Sequence, residues 1–140
     1  MIQNGGAIDE SLIETGDFTY VSGMQCAVKL LGHKDPPQAI FACNDDMAAG
    51  AIAGAHRSGL RVPEDLTVVG FDDTQIASSN WPTITTVRQP IREMAKSAIN
   101  LLGSSDVEET KSKKTVLLSH ELIERKSSAP PARSTSYKTG

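Results

Sequence analysis

The fold is decided by residues 39–51, Ala-Ile-Phe-Ala-Cys-Asn-Asp-Asp-Met-Ala-Ala-Gly-Ala. The first five residues are an unbroken apolar run, which is typical of a short strand buried on both faces of a parallel sheet. Asn44 or Asp45 is suited to end that strand and cap a helix. The inner face of this helix is predicted to hold Met47, Ala48, Ala51, Ile52 and Ala55. The stretch therefore predicts a strand, a polar turn and a helix in direct succession.

The same alternation extends toward the C-terminus. A second buried strand is predicted over residues 66–71, and a short β-prone segment follows at 85–88. Residues 76–82 between them are predicted to be irregular. Gly59 is placed to stop the preceding helix in the left-handed conformation. Apolar spacing predicts a helix over residues 91–102, and residues 115–125 are β-prone.

Toward the N-terminus, residues 12–14 are predicted to form a short strand and residues 19–31 a helix. The inner stripe of that helix is expected to be Val21, Met24, Val28 and Leu31. Strands that alternate with helices indicate an α/β fold with an open, mainly parallel sheet and flanking helices. Residues 127–140 are poor in apolar side chains and are predicted to be a disordered tail.

Composition excludes several classes of protein. The formal net charge is −3 and the basic residues are not clustered, which excludes a nucleic-acid-binding surface. Cys26 and Cys43 lack metal-type or redox-type spacing, and we expect both to be buried free thiols. We find neither an export signal nor an apolar run of about 20 residues. We therefore expect a cytoplasmic protein with no membrane contact, no cofactor and no metal.

Two polar clusters follow predicted strands, Asn44-Asp45-Asp46 and Asp72-Asp73-Thr74. In open parallel sheets, ligands bind beyond the carboxyl ends of the strands, so both clusters are candidates to face one crevice. Carboxylate and amide groups suit a ligand that is rich in hydroxyls. The same residues are equally compatible with a purely structural role, in which they cap helices and tighten turns.

The aromatic residues and the acidic clusters leave further alternatives open. Phe18 and Trp81 are candidates to stack on a sugar ring, although ordinary packing explains either one alone. Four aspartates in the two clusters are able in principle to hold Mg²⁺, which keeps an enzyme as an alternative. No nucleophile with a base and an orienting group is apparent, and no catalytic residue is predicted.

Several segments resemble the LacI/GalR family of bacterial transcription regulators. They are residues 39–51, the segment Gly-Leu-Arg-Val-Pro-Glu-Asp-Leu-Thr-Val-Val-Gly-Phe-Asp-Asp-Thr at 59–74, and Pro-Thr-Ile-Thr-Thr-Val-Arg-Gln-Pro at 82–90. Gly-Asp-Phe-Thr at 16–19 and His-Glu-Leu-Ile-Glu-Arg-Lys-Ser at 120–127 are similar to the family as well. The resemblance covers roughly residues 8–128, and the motifs follow the family's order.

The resemblance implies one lobe of a periplasmic-binding-protein-like (type I) sensor domain. Residues 1–126 are then the C-terminal part of the effector-binding and dimerisation domain. Within it, 1–87 and 119–126 belong to the second lobe, and 90–118 belongs to a first lobe that is otherwise missing from this sequence. The implied effector contacts are Phe18, Asn44, Asp72 and Gln89, with Trp81 given less weight. The implied dimer interface comprises Ala49, Ile52, Ala53, Ile76, Ser79 and Asn80.

The function implied is the sensing of an effector, a sugar, by a fragment of a regulator that contacts DNA only through an N-terminal helix-turn-helix domain absent from this sequence. A sugar-binding protein of a transport system with the same fold is the alternative. Because the first lobe is missing, the predicted helix at 91–102 is expected to expose Ile91, Met94 and Leu102. Such apolar patches drive association, so we expect a homodimer or a segment-exchanged oligomer.

Overall fold

The computed structural model describes residues 9–103 and 115–130. It contains four helices and four strands in these residues, preceded by a short 3₁₀ turn at Glu10–Leu12. The elements in chain order are α1 (Tyr20–Leu31), β1 (Ala39–Phe41), α2 (Asp45–Arg57), β2 (Thr67–Val69), α3 (Gln75–Ser79), β3 (Thr86–Arg88), α4 (Ile91–Gly103) and β4 (Glu121–Ile123).

The strands lie in the order β1-β2-β3-β4. β1 is parallel to β2, with Ile40 opposite Val68. A parallel bridge between Val69 and Thr85 brings β3 beside β2, and β3 is antiparallel to β4. The Gly70 N–H continues the contact by donating to the Thr85 carbonyl at 2.9 Å. The expected α/β fold with an open, mainly parallel sheet is confirmed.

Helix α2 forms as the sequence predicts. The Asn44 side chain caps it by accepting a hydrogen bond from the Met47 N–H at 2.9 Å. Gly59 lies just beyond the helix with a φ of +79°, as expected for a left-handed stop. The predicted inner face is confirmed, since Met47, Ala48, Ala51, Ile52 and Ala55 are all buried.

Helix α1 packs on α2 through a different face from the one predicted. Val21 and Val28 of the expected inner stripe are 54% and 44% exposed. The buried residues are instead Gly23, Ala27 and Leu30. A side chain at Gly23 would collide with the backbone of Met47, and one at Gly50 would collide with the backbone of Tyr20. The prediction was wrong at Val21 and Val28, because the two backbones approach so closely at Gly23 and Gly50 that glycine is needed at the contact rather than a large apolar residue.

Three local predictions are corrected. Residues 12–14 form no strand: the 3₁₀ turn is capped by Asp9, and Ile13 is extended without a strand partner among the described residues. The segment 76–82 is not wholly irregular, because it contains most of α3. β1 is covered on one face only, since Ile40 is buried whereas Phe41 is 62% exposed.

The disordered tail was predicted to begin at residue 127, but the first residues of this segment are folded. Ser127 is fully buried, and its hydroxyl accepts a hydrogen bond from the Thr85 N–H at 2.9 Å. Its carbonyl accepts from the Val68 N–H at 2.8 Å. Residues 127–130 therefore belong to the folded domain, because the hydroxyl and the carbonyl of Ser127 bond to the residue before β3 and to β2. The remainder of the predicted tail, 131–140, lies outside the described residues.

Helix α4 stands apart from the core. Of its residues 91–102, all are exposed except the half-buried Ser97. The exposure expected for Ile91, Met94 and Leu102 is confirmed. Within the part of the chain that the structure describes, no helix has the length and apolar character needed to cross a membrane.

Candidate functional site

Three of the predicted binding residues lie at the same edge of the sheet. Asn44 follows β1, Asp72 follows β2 and Gln89 follows β3. These three strands are parallel to one another, so the residues that follow them share the carboxyl edge. The structure therefore brings Asn44, Asp72 and Gln89 to one side of the molecule. We call this side the carboxyl edge.

Asp72 and Gln89 are directly bonded. The Gln89 Nε2 donates to the Asp72 Oδ1 at 2.6 Å, and both side chains are half-buried. The Asp72 backbone has a φ of +103°, and its N–H donates to the Val87 carbonyl at 2.9 Å. Positive φ at a residue other than glycine is unfavourable and persists only where surrounding contacts hold it. The loop is thus fixed in an orientation that directs Asp72 toward Gln89.

Phe18 and Asn44 form a second linked pair. The Asn44 Nδ2 donates to the Phe18 carbonyl at 2.9 Å while its Oδ1 caps α2. Phe18 has a φ of +66°, and the residue is 64% exposed. Asn44 therefore has the capping role that the sequence allowed. These two bonds still leave one amide hydrogen and one oxygen lone pair of Asn44 for a ligand. Phe18 is thus an exposed aromatic residue just before α1 whose backbone carbonyl is bonded to that amide.

Asp45 lies beneath the carboxyl edge rather than on it. It is fully buried, and its Oδ1 accepts from the Thr86 hydroxyl at 2.6 Å. Its Oδ2 accepts from the Thr74 N–H at 2.6 Å and from the Thr74 hydroxyl at 3.1 Å. The carboxylate therefore joins the start of α2 to the loop after β2 and to β3. The sequence did not predict this linking role of Asp45, because its partners Thr74 and Thr86 are distant along the chain.

Asp73 is held by two arginines. Its Oδ2 accepts from Arg88 Nε at 2.7 Å, and its Oδ1 accepts from Arg125 Nη2 at 2.6 Å. Burial acts to raise the pKa of Asp73, but the hydrogen bonds and positive charges of Arg125 and Arg88 outweigh it and hold the pKa below its ordinary value of 3.8. Asp73 is thus an ionised residue of the framework beside Asp72.

The acidic clusters do not form a cation site. Asp45 and Asp73 are occupied by hydroxyl, amide and guanidinium donors, and Asp46 is exposed. In residues 9–103 and 115–130, no group of three or more histidine, cysteine, aspartate or glutamate side chains could hold a metal ion. The geometry gives no support to the magnesium-dependent enzyme considered as an alternative.

Trp81 is not brought to the carboxyl edge. It precedes β3, and its ring lies 5.3 Å from the Lys126 ammonium. The Lys126 N–H donates to the Thr83 carbonyl at 3.0 Å, which places both groups toward the amino end of β3. Five residue steps separate Thr83 from Arg88 at the other end, about 17 Å of extended chain. Trp81 is therefore remote from Asn44 and Asp72.

The predicted dimer residues divide into two groups. Ala49 and Ile52 are 1% and 2% exposed and belong to the core of the chain itself, so they offer no surface to a partner. The remaining residues are accessible to different degrees: Ser79 is exposed, and Ala53, Ile76 and Asn80 are half-buried. The sequence of α2 alone did not show that α1 and α3 pack against this helix and cover Ala49 and Ile52.

The burial expected for the two free thiols was wrong, since Cys43 is exposed and Cys26 is half-buried.

An apolar cavity of about 350 Å³ adjoins Gln89. Its other lining residues are Phe71, Val87, Pro90, Met94, Val116, Leu118 and His120.

Residues 3–128 match the periplasmic binding protein-like domain family. The chain belongs to this family. Within it, the chain is 42% identical over 130 residues to the HTH-type transcriptional regulator DegA of Bacillus subtilis (strain 168). That match covers 93% of this chain and 38% of the regulator. The chain thus spans well under half the length of this LacI-type relative.

Solved structures give the same assignment. The transcriptional regulator CelR in complex with cellobiose superimposes with a TM-score of 0.79 at 36% identity, over 90% of this chain and 38% of that one. The lac repressor dimer bound to operator and the anti-inducer ONPF superimposes with a TM-score of 0.72 at 35% identity, over 82% of this chain and 40% of that one. The fold is therefore that of LacI-type effector domains, and the relatives named here are transcription regulators.

Proposed function

We propose that this chain is the sugar-sensing and dimerisation part of a LacI-type transcription regulator. The observation that carries the proposal is the convergence of Asn44, Asp72 and Gln89 on the carboxyl edge. The exposed residue Phe18 is joined to this group through the hydrogen bond from Asn44 to its backbone carbonyl. A regulator of this kind contacts DNA through a separate N-terminal domain. We place it in the cytoplasm, and we propose no catalytic step.

The side chains at the carboxyl edge suit a hydroxyl-rich ligand. The oxygens of the Asp72 side chain accept hydrogen bonds from ligand hydroxyls, and the free amide positions of Asn44 both donate and accept. The bond from Gln89 keeps the Asp72 carboxylate in place before a ligand arrives. The exposed face of Phe18 provides apolar area for the C–H face of a sugar ring.

The relatives support the sugar class. The CelR structure contains cellobiose, and the lac repressor structure contains an anti-inducer together with operator DNA. In a regulator built this way, a ligand acts by binding one arrangement of the lobes more tightly than another. In the dimer, the arrangement of the lobes then sets the relative position of the two DNA-binding domains. The transport-protein alternative shares the fold, but the relatives described above favour regulation.

The test is calorimetric titration of the chain with a panel of monosaccharides and disaccharides that includes cellobiose. We expect saturable binding by at least one sugar and a loss of at least tenfold in affinity in Asp72→Asn. The matched control is Asp46→Asn, since Asp46 is an exposed carboxylate in the first turn of α2. Equal affinities in both variants, or no binding by any sugar, would overturn the proposal for this chain.

A further inference from the structure

Two consecutive residues of the loop after β2 are bonded to two consecutive residues at the end of β3. The Gln89 Nε2 donates to the Asp72 Oδ1 at 2.6 Å. The Arg88 Nε donates to the Asp73 Oδ2 at 2.7 Å. A backbone bond from the Asp72 N–H to the Val87 carbonyl at 2.9 Å joins the same two segments. The loop is therefore held against β3 by one backbone bond and by two adjacent side-chain bonds.

The loop needs this support because its backbone is in an unfavourable conformation. The φ angles of Asp72 and Asp73 are +103° and +54°. Aspartate tolerates the left-handed region in which Asp73 lies, whereas the φ of Asp72 is outside that region. Such a conformation persists only where the surrounding structure holds it. The orientation of the Asp72 side chain therefore depends on the contacts of its neighbours as well as on its own.

Asp73 is the anchored residue of this loop. Besides the bond from Arg88, it accepts from Arg125 Nη2 at 2.6 Å, and its side chain is only 9% exposed. Hydrogen bonds between ionised partners are shorter and stronger than those between neutral groups. Arg125 is itself fixed, since its Nη1 donates to the Ile84 carbonyl at 2.9 Å and its N–H donates to the Thr85 hydroxyl at 2.9 Å. The Asp73 carboxylate is therefore tied to the residues just before β3.

Arg88 has a second partner, which allows the contribution of Asp73 to be separated. The Arg88 Nη1 donates to the Glu121 Oε2 at 3.0 Å, and the Glu121 side chain is 64% exposed. An exposed ion pair of this kind contributes little. Glu121 lies on β4, so this bond joins two strands and does not act on the loop after β2. Removal of Glu121 therefore leaves the bond between Arg88 and Asp73 in place.

We propose that Asp73 is a positioning residue of the effector site: held by Arg88 and Arg125, it keeps the strained backbone of Asp72 in place and so presents Asp72 beside Gln89 to a hydroxyl-rich ligand. We expect no ligand contact from Asp73 itself, because both of its oxygens accept from guanidinium groups. A site that is arranged beforehand binds more tightly, since binding then does not include the cost of ordering it. The inference rests on the proposed sugar site, but the arrangement of the loop is testable without a sugar.

The ligand-free test uses the NMR signals of the Gln89 side-chain amide in the folded chain. The amide of Gln38, an exposed residue, provides the reference for a glutamine in solvent. We expect Asp73→Asn to move the Gln89 signals toward those of Gln38, because the bond to Asp72 is loosened. Asparagine tolerates the same backbone region as aspartate, so the variant tests the ion pairs. A role limited to stability would lower the free energy of unfolding without moving signals of the folded chain.

Three variants serve as a second probe and as controls. Arg88→Met removes one of the two guanidinium donors to Asp73, and we expect it to move the Gln89 signals as well. Glu121→Gln keeps the bond between Arg88 and Asp73 and is expected to leave the signals in place. Arg61→Met breaks an exposed arginine–aspartate pair elsewhere in the chain and is expected to leave them in place too.

Calorimetric titration with cellobiose and the other sugars of the panel measures the consequence for binding. We expect Asp73→Asn to weaken sugar binding about tenfold in the original chain, since the cost of the strained loop is then met on binding. It should have little further effect in an Asp72→Asn background, because it acts through Asp72.

The proposal is overturned if the Gln89 signals stay in place in both Asp73→Asn and Arg88→Met. It is also overturned if Asp73→Asn weakens sugar binding equally in the original chain and in the Asp72→Asn background. If no sugar binds to the original chain, the proposed sugar site fails, and the NMR signals alone then decide whether Asp73 positions Asp72 and Gln89.

Discussion

The Asp45 carboxylate accepts a 2.6 Å hydrogen bond from the Thr86 hydroxyl, and both residues are fully buried. This bond, with the two from Thr74, fixes the loops after β1 and β2 to the third strand. The carboxyl edge therefore depends on a residue that does not face solvent. A buried carboxylate is tolerated here because three donors satisfy it and because it lies in the first turn of α2, where negative charge is stabilised.

We expect Asp45→Ala to lower the free energy of unfolding by about 2–4 kcal/mol, because it leaves buried donors without an acceptor. Thr86→Val is expected to cost about 1–3 kcal/mol, because it removes one of the three donors to Asp45. Urea denaturation measures both. Asp46→Ala is the control, and its exposed position predicts a change within about 0.5 kcal/mol. Similar losses in the two aspartate variants would contradict the role of Asp45.

The Asp73 pair makes stability depend on pH in the acid range. Arg125 and Arg88 hold the pKa of Asp73 below 3.8, so the folded state keeps this group ionised where the unfolded state binds a proton. The stability from this pair is present above pH 3.8 and is lost as the pH falls through the folded pKa. Asp65, whose pKa Arg61 lowers to about 2, adds a change of the same sign.

Urea titrations between pH 5 and pH 2.5 test this dependence. We expect Asp73→Asn to be less stable than the original chain at pH 5, and we expect the difference to shrink as the pH falls. Asp46→Asn serves as the control, because Asp46 is exposed and its loss leaves the Asp73 pair intact. A constant difference for Asp73→Asn across this range would show that its ionisation is not linked to folding.

The α1–α2 contact depends on glycine at positions 23 and 50, where a side chain would collide with the backbone of the other helix. Gly23→Ala and Gly50→Ala each place a methyl group against backbone atoms, which have little freedom to move. We expect each variant to lose about 1–3 kcal/mol or more, as overpacking does. Thermal unfolding measures the loss. Gly59→Ala meets no atom within 4 Å and carries only the cost of a positive φ, about 1 kcal/mol, so it should be the mildest of the three.

The exposed face of α4 predicts self-association. Ile91, Met94 and Leu102 form an apolar surface with little cover, and we expect light scattering to show a dimer at high protein concentration. Replacing these three residues with serine is expected to shift the chain toward monomer. The comparison variant carries serine at Val21 and Val28, the exposed apolar pair of α1. A monomer at all concentrations, or equal dissociation in both variants, would contradict this assignment.

Much of the candidate site was predictable from local signals. Apolar runs that end in polar clusters identified β1, β2 and the residues that follow them, because buried parallel strands need such runs. The resemblance then gave Phe18, Asn44, Asp72 and Gln89, and the structure brings these residues together in two bonded pairs. Trp81 was misplaced because an aromatic residue in an irregular segment carries no signal about which edge of the sheet it reaches.

The amino-acid order alone determined the alternation of strands and helices, the cap at Asn44 and the stop at Gly59, since these depend on neighbours within a few residues. Only the tertiary structure decided that Asp45 is a buried anchor and that α1 packs through Gly23 and Ala27. It also decided that Ser127 belongs to the core. Each of these rests on contacts between residues far apart along the chain, and such contacts form only when the backbone elements are packed.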